Sequence, residues 1–481
     1  ALTPNDKKAA VRMSLGFASD KKLREGETLT EQQQEAYKIN IDDKGILIEA
    51  RNPIGLFRAA QTLRKAMPIV KDTKDAKIEM PYTKIQDEPR FVYRGTLLDC
   101  GRHFFTVEVI KQMLDVMALH GCNQFHWHLT EDQGWRFEVK SLPNLALHGS
   151  VRQETVVGPN VGIYDGIPYG GYYTQEQCRE VVRYAAERYI NVIPEIDLPG
   201  HMQSALHVYP HLGCTGGPYP VRTYWGVSRE VLCGGNPETM TFLKTVLGEL
   251  CDVFPSKIIH IGGDECPKDR WKACPKCQAK IKELGLVSDG KRTAENQLQS
   301  YINKEVEAFL AERGRDIIGW DEILEGGVSK TATVMAWRGA KRGILAAKLG
   351  NEVVMTPTHF CYLDYANTSD RVKNGEPICG GRNGKRPITL RKAYSFDPYD
   401  QLNENERKFI KGVQGNLWTE YIPNFKHAQQ MTLPRLAAIA EVGWSYGNQN
   451  YDDFARRMHL LRKLYDKCGF KYAPYFFNGI E

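Results

Sequence analysis

Short apolar runs alternate with amphipathic helical stretches from about residue 93 to residue 418. Helical spacing of apolar residues is clearest over 107–121, 175–189, 295–314 and 340–350, between runs that are too short to be helices themselves. Strands that alternate with helices predict βα units around a parallel sheet, and eight such units predict a (β/α)8 TIM barrel. The eight predicted strands are 93–99, 123–129, 190–197, 257–262, 316–320, 331–337, 351–355 and 412–418.

The first 88 residues have a different pattern. A strand is followed by a DDKG turn signal at 42–45, a second strand ending in ILIEA at 46–50, and an amphipathic helix at 55–67. This order predicts a small α+β domain over 1–88, followed by a catalytic barrel with a C-terminal helical segment over 89–481. The predicted fold class is therefore α/β, a (β/α)8 TIM barrel preceded by a small α+β domain.

Composition excludes several classes of protein. Hydrophobic residues make up 42% and charged residues 25% of the chain, which is typical of a folded globular protein. Apolar runs all stay below the roughly 18 residues that a membrane helix needs, so no membrane span is predicted. The formal net charge is +6, but Lys and Arg are dispersed, so the sequence predicts no nucleic-acid partner. The oligomeric state is left open.

Five of the twelve cysteines form two groups. Cys214 and Cys233 flank a Gly/Pro-rich loop, where a disulfide is predicted because closing the loop would stabilise the fold by roughly 3 kcal/mol; two unpaired thiols are the alternative. Cys266, Cys274 and Cys277 include a CxxC, which would indicate zinc if a second pair followed at finger or ribbon spacing. Since none follows, the sequence favours a disulfide within this trio, or thiols, over zinc. It predicts no metal and no cofactor.

Polar and aromatic residues follow all eight predicted strands. The active site of a (β/α)8 barrel lies at the carboxyl ends of its strands, and a barrel used only as a scaffold has no need of carboxylates and indoles there. The pattern therefore predicts a binding site at this end. The residues, strand by strand, are Arg102 and His103, Glu131 and Asp132, Asp197 and His201, Asp264 and Glu265, Trp320 and Asp321, Trp337, Tyr362 and Asp364, and Trp418 and Glu420.

These residue types indicate a carbohydrate ligand. Indole rings stack on the apolar faces of a pyranose, while carboxylates and guanidinium groups bind its hydroxyls. Glycoside hydrolysis needs a carboxylic acid to protonate the leaving oxygen and, ordinarily, a second carboxylate. Asp264 and Glu265 are the candidate pair. Adjacent strand residues point to opposite faces, so both can reach one ligand only if the strand breaks, and Gly262 and Gly263 supply that break.

Two other functions fit parts of the pattern. His126 and His128 form an HxH pair at a strand end, as in metal-dependent amidohydrolases, although no pattern requires further ligands beside them. The further ligands that the chain offers are His201, His260 and Asp321. A non-catalytic glycan-binding protein would keep the aromatic residues without needing an acid, and the presence of Asp264 and Glu265 disfavours it.

Seven motifs stand in order along the chain: LDCGRHFF (98–105), HWHLTEDQGWR (126–136), PEIDLPGH (194–201), HIGGDE (260–265), GWDE (319–322), YLD (362–364) and LWTE (417–420). Together they resemble glycoside hydrolase family 20, the β-N-acetylhexosaminidases. The resemblance runs from about Arg94 to the C-terminal region, and the N-terminal segment is similar to that family's accessory α+β domain.

The resemblance implies an exo-acting, retaining β-N-acetylhexosaminidase that removes terminal β-linked N-acetylglucosamine (GlcNAc) or N-acetylgalactosamine (GalNAc) from glycans. In this family the substrate's own 2-acetamido oxygen attacks the anomeric carbon and forms an oxazolinium intermediate, an exception to the two-carboxylate scheme. The resemblance implies that Glu265 is the general acid and then the base, and that Asp264 binds the acetamido N–H.

The resemblance also implies the residues that bind the sugar. Arg102 and Glu420 would hold its hydroxyls, Tyr362 would donate to the acetamido oxygen, and the tryptophans would enclose the acetamido methyl and the ring. The implied sugar-binding residues are Arg102, Trp320, Trp337, Tyr362, Asp364, Trp418 and Glu420, and those behind the acid–base pair are Glu131, Asp197 and His201.

Two further expectations depend on the implied function. We expect a raised pKa for Glu265, because the acid must stay protonated near neutral pH beside tryptophans and carboxylates. We also expect export to the periplasm or beyond, given a glycan substrate and the predicted disulfide, with a signal peptide that is not present in this sequence.

Overall fold

The computed structural model describes residues 10–16, 28–70, 78–160, 162–447 and 450–480, without the side chains of residues 382 and 383. The start of the predicted N-terminal domain lies outside the described residues. The strands are β1 Val11–Leu15, β2 Tyr37–Asp42, β3 Gly45–Ala50, β4 Thr83–Asp87, β5 Tyr93–Asp99, β6 Gln124–His128, β7 Thr130–Glu131, β8 Gly134–Trp135, β9 Val151–Arg152, β10 Tyr169–Gly170, β11 Asn191–Glu195, β12 Ile258–His260, β13 Asp316–Trp320, β14 Thr333–Ala336, β15 Val353–Met355 and β16 Ile410–Leu417.

Helices connect most of these strands. They are α1 Glu31–Glu35, α2 Pro53–Ala66, α3 Val107–Leu119, α4 Asn144–Leu147, α5 Gln175–Ala186, α6 Gln203–Val208, α7 Pro237–Val253, α8 Asp269–Ala273, α9 Pro275–Glu283, α10 Ala294–Ala311, α11 Ala340–Leu349, α12 Thr358–Cys361, α13 Gly381–Gly384, α14 Leu390–Tyr394, α15 Glu404–Arg407, α16 Phe425–Thr432, α17 Arg435–Trp444 and α18 Tyr451–Cys468. In the part of the chain that the structure describes, none of them is both long and apolar enough to cross a bilayer.

Eight parallel strands close into a barrel in the order β5, β6, β11, β12, β13, β14, β15, β16 and back to β5. They are the eight strands predicted from the sequence, and the predicted fold class is confirmed. The barrel interior is packed, as the fold requires, since inward-facing apolar side chains fill it below the rim. These include Leu97, Ile193, Ile318, Met335 and Val354.

Local sequence signals set the ends of the connecting helices. Helix α5 begins with a capping box, in which the Thr174 side chain accepts from the backbone N–H of Gln177 while the Gln177 side chain accepts from that of Thr174. Helix α11 ends at Gly350, whose φ of 83° lies in the left-handed region that favours glycine. Because all eight strands are parallel, their carboxyl ends meet at one rim of the barrel.

A four-stranded sheet in the order β1, β3, β2, β4 lies before the barrel, with α2 packed against it. The sequence predicted β2, β3 and α2 but not β1 or β4. Among the described residues, strand β1 pairs with β3 alone and is mostly exposed, although its sequence VRMSL alternates apolar and polar residues. Glu35 joins this region to the barrel, because its buried carboxylate lies 2.7 Å from Arg58 and 2.5 Å from Arg94 of β5.

None of the twelve cysteines forms a disulfide, so the predicted Cys214–Cys233 disulfide is wrong, as is a disulfide within Cys266, Cys274 and Cys277. The Sγ of Cys233 instead lies 3.7 Å from that of Cys274 and 3.6 Å from that of Cys277, well beyond a disulfide bond of about 2.0 Å. Spacing along the chain suggested pairs within each segment, whereas the fold brings the two segments together.

Candidate active site

The candidate acid–base pair lies where β12 ends. Gly262 and Gly263 have φ values of 63° and 97°, and a Cβ on Gly262 would lie 1.8 Å from a carboxylate oxygen of Asp197. Glycine is therefore required there, and it gives the strand break predicted from the sequence. Glu265 itself has a φ of 43°, a strained value for a side chain of its size. This backbone turns both Asp264 and Glu265 into the mouth of the barrel.

One imidazole lies close to both carboxylates. His201 Nε2 lies 3.7 Å from Asp264 Oδ2 and 3.6 Å from Glu265 Oε2. The Asp264 side chain is 14% exposed and that of Glu265 is 40% exposed, so Glu265 stands nearer to the solvent. This arrangement fits a pair in which Glu265 meets the leaving group and Asp264 lies deeper.

A buried chain of alternating carboxylates and imidazoles continues behind His201. Glu131 lies 2.7 Å from His201 Nδ1, 3.2 Å from His128 Nε2 and 3.0 Å from Arg102 Nη2, and Glu195 lies 2.5 Å from His128 Nδ1. Burial lowers the pKa of His201, but Glu131 and neighbouring carboxylates raise it well above its usual range. Burial is likewise outweighed at His128, where Glu195 and Glu131 raise the pKa to about 10. His201 is thus a cation held against the acid–base pair.

The expected raised pKa of Glu265 is wrong for the unliganded site. Burial raises the pKa of Glu265, but the charge of the His201 imidazole, 3.6 Å away, and that of Arg102 lower it below its ordinary value. The tryptophans and carboxylates around Glu265 favour a raised pKa, but the cations His201 and Arg102 oppose it. Glu265 is therefore a carboxylate, and its neighbour His201 carries the proton.

Asp197 and Asp264 are two buried carboxyls that repel each other. Burial and the charge of Asp264 raise the pKa of Asp197 well above its ordinary value. Burial also raises the pKa of Asp264, with Glu265 adding to the shift and His201 opposing it. Asp197 Oδ1 accepts from the backbone N–H of Gly263 at 3.0 Å, which fixes it beneath the strand break. Burial and mutual repulsion therefore oppose the simultaneous ionisation of Asp197 and Asp264.

Replacing Glu131 with Gln is expected to move the basic limb of the kcat/KM profile to lower pH. Losing the Glu131 charge lowers the pKa of His201, so the His201–Glu265 pair loses its shared proton at a lower pH. The profile is measured on a nitrophenyl N-acetyl-β-glucosaminide. Glu180→Gln, which removes an exposed carboxylate on α5, is the control and leaves the profile unchanged. A basic limb that stays in place in Glu131→Gln would contradict the assignment of the proton to this pair.

Buried polar atoms without a hydrogen-bond partner gather at the rim of the barrel, where the pocket lies. Among the described residues, several buried side-chain atoms lack a hydrogen-bond partner, and buried polar atoms in proteins are ordinarily paired. Those at the rim are Arg102 Nε and Nη1, His201 Nε2, Asp264 Oδ1 and Asp364 Oδ1. Donors and acceptors of both signs therefore converge where a ligand rich in hydroxyls would satisfy them.

Asp364 and Glu420 lie at the same end of the pocket as Arg102. Burial and the charge of Glu420 raise the pKa of Asp364 well above its usual range. Burial also raises the pKa of Glu420, opposed by Arg102. The Arg102 guanidinium lies 5.0 Å from the centre of the Trp418 ring, so the cation contacts the aromatic wall as well.

Four aromatic rings form that wall. The centres of Trp320 and Trp418 are 5.7 Å apart, those of Trp337 and Tyr362 are 6.3 Å apart, and those of Tyr362 and Trp418 are 6.5 Å apart. Burial holds the pKa of Tyr362 well above its ordinary value, so the phenol is a neutral hydrogen-bond donor. The rings can enclose a small apolar group next to a polar one, as an acetamido group is.

Three predicted rim residues hold loops in place. His103 Nδ1 lies 2.5 Å from the carbonyl oxygen of Thr419 after β16. Asp132 accepts the backbone N–H of Gln203 at 3.0 Å, and Asp321 accepts that of Trp337 at 2.9 Å. Their contacts support the pocket from behind.

Sequence reasoning missed Glu195 and Glu322. Fully buried Glu195 lies 2.9 Å from His126 Nε2 and accepts from Trp320 Nε1 at 2.9 Å, which orients that ring. Glu322 accepts from Trp337 Nε1 at 2.9 Å, and burial together with the charge of Asp264 raises its pKa to about 8. Both stand in the motifs PEIDLPGH and GWDE; Glu195 is the last residue of β11, below the rim, whereas Glu322 lies just after the end of β13. Alternate inward positions on neighbouring strands are the signal that could have found Glu195.

Comparison with known sequences assigns the chain to a family. The profile of the glycosyl hydrolase family 20 catalytic domain matches residues 91–447, and that of the family's domain 2 matches residues 2–88. The chain belongs to glycoside hydrolase family 20. The resemblance inferred from the seven motifs is thereby confirmed, and family 20 is a family of glycoside hydrolases.

Two named beta-hexosaminidases are similar to most of the chain. A beta-hexosaminidase of Porphyromonas gingivalis is 41% identical over 92% of this chain and 55% of its own length, and one of Vibrio furnissii is 37% identical over 89% of this chain and 67% of its own. The chain thus spans about half the length of the P. gingivalis relative.

Solved family 20 structures share the fold. The exo beta-N-acetylglucosaminidase of Vibrio harveyi, solved with N-acetylglucosamine, is 33% identical with a TM-score of 0.80, over 96% of this chain and 68% of that one. The beta-N-acetylhexosaminidase of Streptomyces coelicolor is 30% identical with a TM-score of 0.78, over 96% and 85% of the two chains.

Proposed function

We propose that this chain is an exo-acting, retaining β-N-acetylhexosaminidase that removes terminal β-linked GlcNAc or GalNAc from glycans. The observation that carries the proposal is the Asp264–Glu265 pair, with His201 within 3.7 Å of both carboxylates, beside the aromatic wall. The complex of the V. harveyi relative with N-acetylglucosamine supports a terminal N-acetylhexosamine as the partner.

The mechanism follows from the two roles of the pair. The acetamido carbonyl oxygen bonds to the anomeric carbon while the bond to the leaving oxygen breaks and Glu265 donates its proton to that oxygen. Asp264 accepts the acetamido N–H and stabilises the positive charge that develops there. Water then attacks the anomeric carbon and gives a proton to Glu265, and the ring of the intermediate opens. Two inversions retain the β configuration.

Substrate binding would also prepare the acid. Glu265 is a carboxylate in the unliganded pocket, since His201 and Arg102 lower its pKa. A sugar that covers the 40% exposed side chain removes water from it and strengthens the burial effect, which favours the protonated form. The proton needs to travel only from His201, 3.6 Å away.

We assign the sugar contacts by position in the pocket. Arg102 and Glu420 hold ring hydroxyls, and Tyr362 and Asp364 bind the acetamido group, which Trp320, Trp337 and Trp418 enclose. The unpartnered atoms of Arg102, Asp264 and Asp364 support this assignment, because sugar hydroxyls and the acetamido N–H would pair with them.

Export to the periplasm or beyond also remains a proposal. The glycan substrate supports it, whereas the predicted disulfide, its other support, is not formed. Fractionation of the source cells would test it.

The proposed function is tested with 4-nitrophenyl N-acetyl-β-glucosaminide in the presence of EDTA. We expect nitrophenol release by the wild type and, by NMR, the β anomer as the first sugar product. EDTA removes accessible metal ions, so release also argues against a metal-dependent amidohydrolase. No release, or the α anomer formed first, would overturn the proposal. The matching galactosaminide measures the preference for the 4-hydroxyl.

A further inference from the structure

Four cysteines from two distant segments converge beside the candidate active site. The Sγ atoms of Cys233 and Cys277 are 3.6 Å apart, those of Cys233 and Cys274 are 3.7 Å apart, and those of Cys214 and Cys277 are 3.8 Å apart. All four sulfurs lie within 4.8 Å of one another. Cys233, Cys274 and Cys277 are buried, and Cys214 is partly buried. Four thiols therefore share one enclosed site.

These distances match the edges of a metal–thiolate tetrahedron. A zinc–sulfur bond of about 2.3 Å places the ligands of a tetrahedral site about 3.8 Å apart, whereas a disulfide needs about 2.0 Å. A set of four sulfur ligands is typical of zinc or of iron–sulfur centres. A closed site with four protein ligands and no open position is a structural site, since a catalytic zinc keeps a position for water.

We propose that Cys214, Cys233, Cys274 and Cys277 bind one structural zinc ion. Each thiol gives up its proton to the solvent as the zinc–sulfur bond forms, so binding releases up to four protons. Cys266 lies in the same stretch of sequence but is not a member of the cluster. The inference departs from the sequence-based prediction of no metal, which looked for a second CxxC and not for two single cysteines in a loop.

The backbone around the sulfurs is built to hold them. Cys274 is the N-cap of α9 and Cys277 lies in its first turn, so the CxxC presents both sulfurs on one side. A Cβ on Gly235 would lie 2.1 Å from the carbonyl oxygen of Lys276, so the loop that carries Cys233 lies directly against the CxxC. The Cys233 carbonyl also accepts from the Thr239 hydroxyl at 2.8 Å. Only glycine at position 235 allows the two backbones to approach so closely.

The proposed site would join the two loops that carry the acid–base machinery. The Cys214–Cys233 loop belongs to the connection after β11, as does His201, and the backbone N–H of Leu232 donates to the carbonyl of Pro199 at 3.0 Å. The CxxC follows Glu265 after β12. Trp271 donates from Nε1 to the carbonyl of Leu232 at 2.9 Å, between the same two segments. Zinc would thus stabilise the relative position of His201 and Glu265.

Metal analysis of the wild-type protein tests the proposal without any variant. The protein is purified without added metal, exposed briefly to EDTA, desalted and analysed by mass spectrometry for metals. We expect about one zinc ion per chain, and four thiols that react with a thiol reagent only after unfolding with a chelator. Zinc below a tenth of an ion per chain, iron in its place, or disulfides between these cysteines would overturn it.

Variants locate the metal. Cys277→Ser is expected to lower the zinc content at least tenfold and to lower the Tm. Cys468→Ser is the matched control, since Cys468 is a free thiol at the end of α18, and it should keep the zinc. If Cys277→Ser does not fold, cobalt(II) exchanged into the wild type answers the question, because four thiolates give intense charge-transfer and tetrahedral d–d bands. Cobalt without those bands, or full zinc in Cys277→Ser, would contradict the site.

The link between zinc and the acid–base pair rests on the proposed function, but the predicted zinc content does not. A protein that holds zinc and hydrolyses no N-acetylhexosaminide would keep the metal site and overturn the function. A protein that hydrolyses the substrate and holds no zinc would do the reverse. The two proposals therefore fail separately.

Discussion

Glu265→Gln is expected to lower kcat on N-acetyl-β-glucosaminides by about 10²- to 10⁴-fold, the usual contribution of a positioned acid–base group. The amide can neither protonate the leaving oxygen nor take a proton from water. The loss should be largest for a leaving group that needs protonation, such as a second sugar, and smaller for nitrophenolate. Steady-state kcat and KM for chitobiose and for the nitrophenyl glycoside give the comparison. KM should change little, since the Glu265 carboxyl binds the ring only at the leaving oxygen.

Glu283→Gln is the matched control for this variant. Glu283 is an exposed carboxylate at the end of α9, where it pairs with Lys280 at 2.8 Å, so its loss should leave kcat within about twofold. Equal losses on the two leaving groups in Glu265→Gln would point to a structural role for Glu265. Unchanged kcat would remove it from the reaction.

The barrel could be predicted because its signal repeats. Short strands alternate with helices along the barrel, so an error in the bounds of one strand does not change the count of eight. Strand β12 shows the limit, since it ends at His260, two residues before the predicted end. The positive φ values of Gly262 and Gly263 end it, and the sequence analysis had used that same glycine pair to place the acid–base residues.

Contacts between distant segments could not be predicted in the same way. Cys214 and Cys277 are 63 residues apart, and no periodic pattern relates them. The predicted rise in the pKa of Glu265 was wrong for a similar reason. The direction of the shift depends on His201, which lies at the end of another strand. Residue types showed that carboxylates gather at the rim. Only the folded chain shows which of them face a cation and which face each other.

Replacing the substrate's 2-acetamido group with a hydroxyl is expected to lower kcat/KM by at least about 10⁴-fold, since well-oriented intramolecular groups reach effective molarities of about 10⁵–10⁸ M. The proposed nucleophile belongs to the substrate, so a β-glucoside brings none. Asp264 would then have no N–H to accept, and the pocket formed by Trp320, Trp337 and Trp418 would be left unfilled. The measurement compares the nitrophenyl glucoside with the N-acetylglucosaminide. Comparable rates on the two would contradict the mechanism.

Asp264→Asn shows whether enzyme and substrate act through the same interaction. On the N-acetylglucosaminide the variant should lose several orders of magnitude in kcat/KM, because the amide no longer offers a charge to the developing oxazolinium. On the glucoside it should lose almost nothing further, since the group that Asp264 serves is already missing. The two changes are then strongly non-additive, as expected for partners in one contact. Losses that simply multiply would mean that Asp264 acts elsewhere, and that the carboxylate beside Glu265 is not the one that orients the acetamido group.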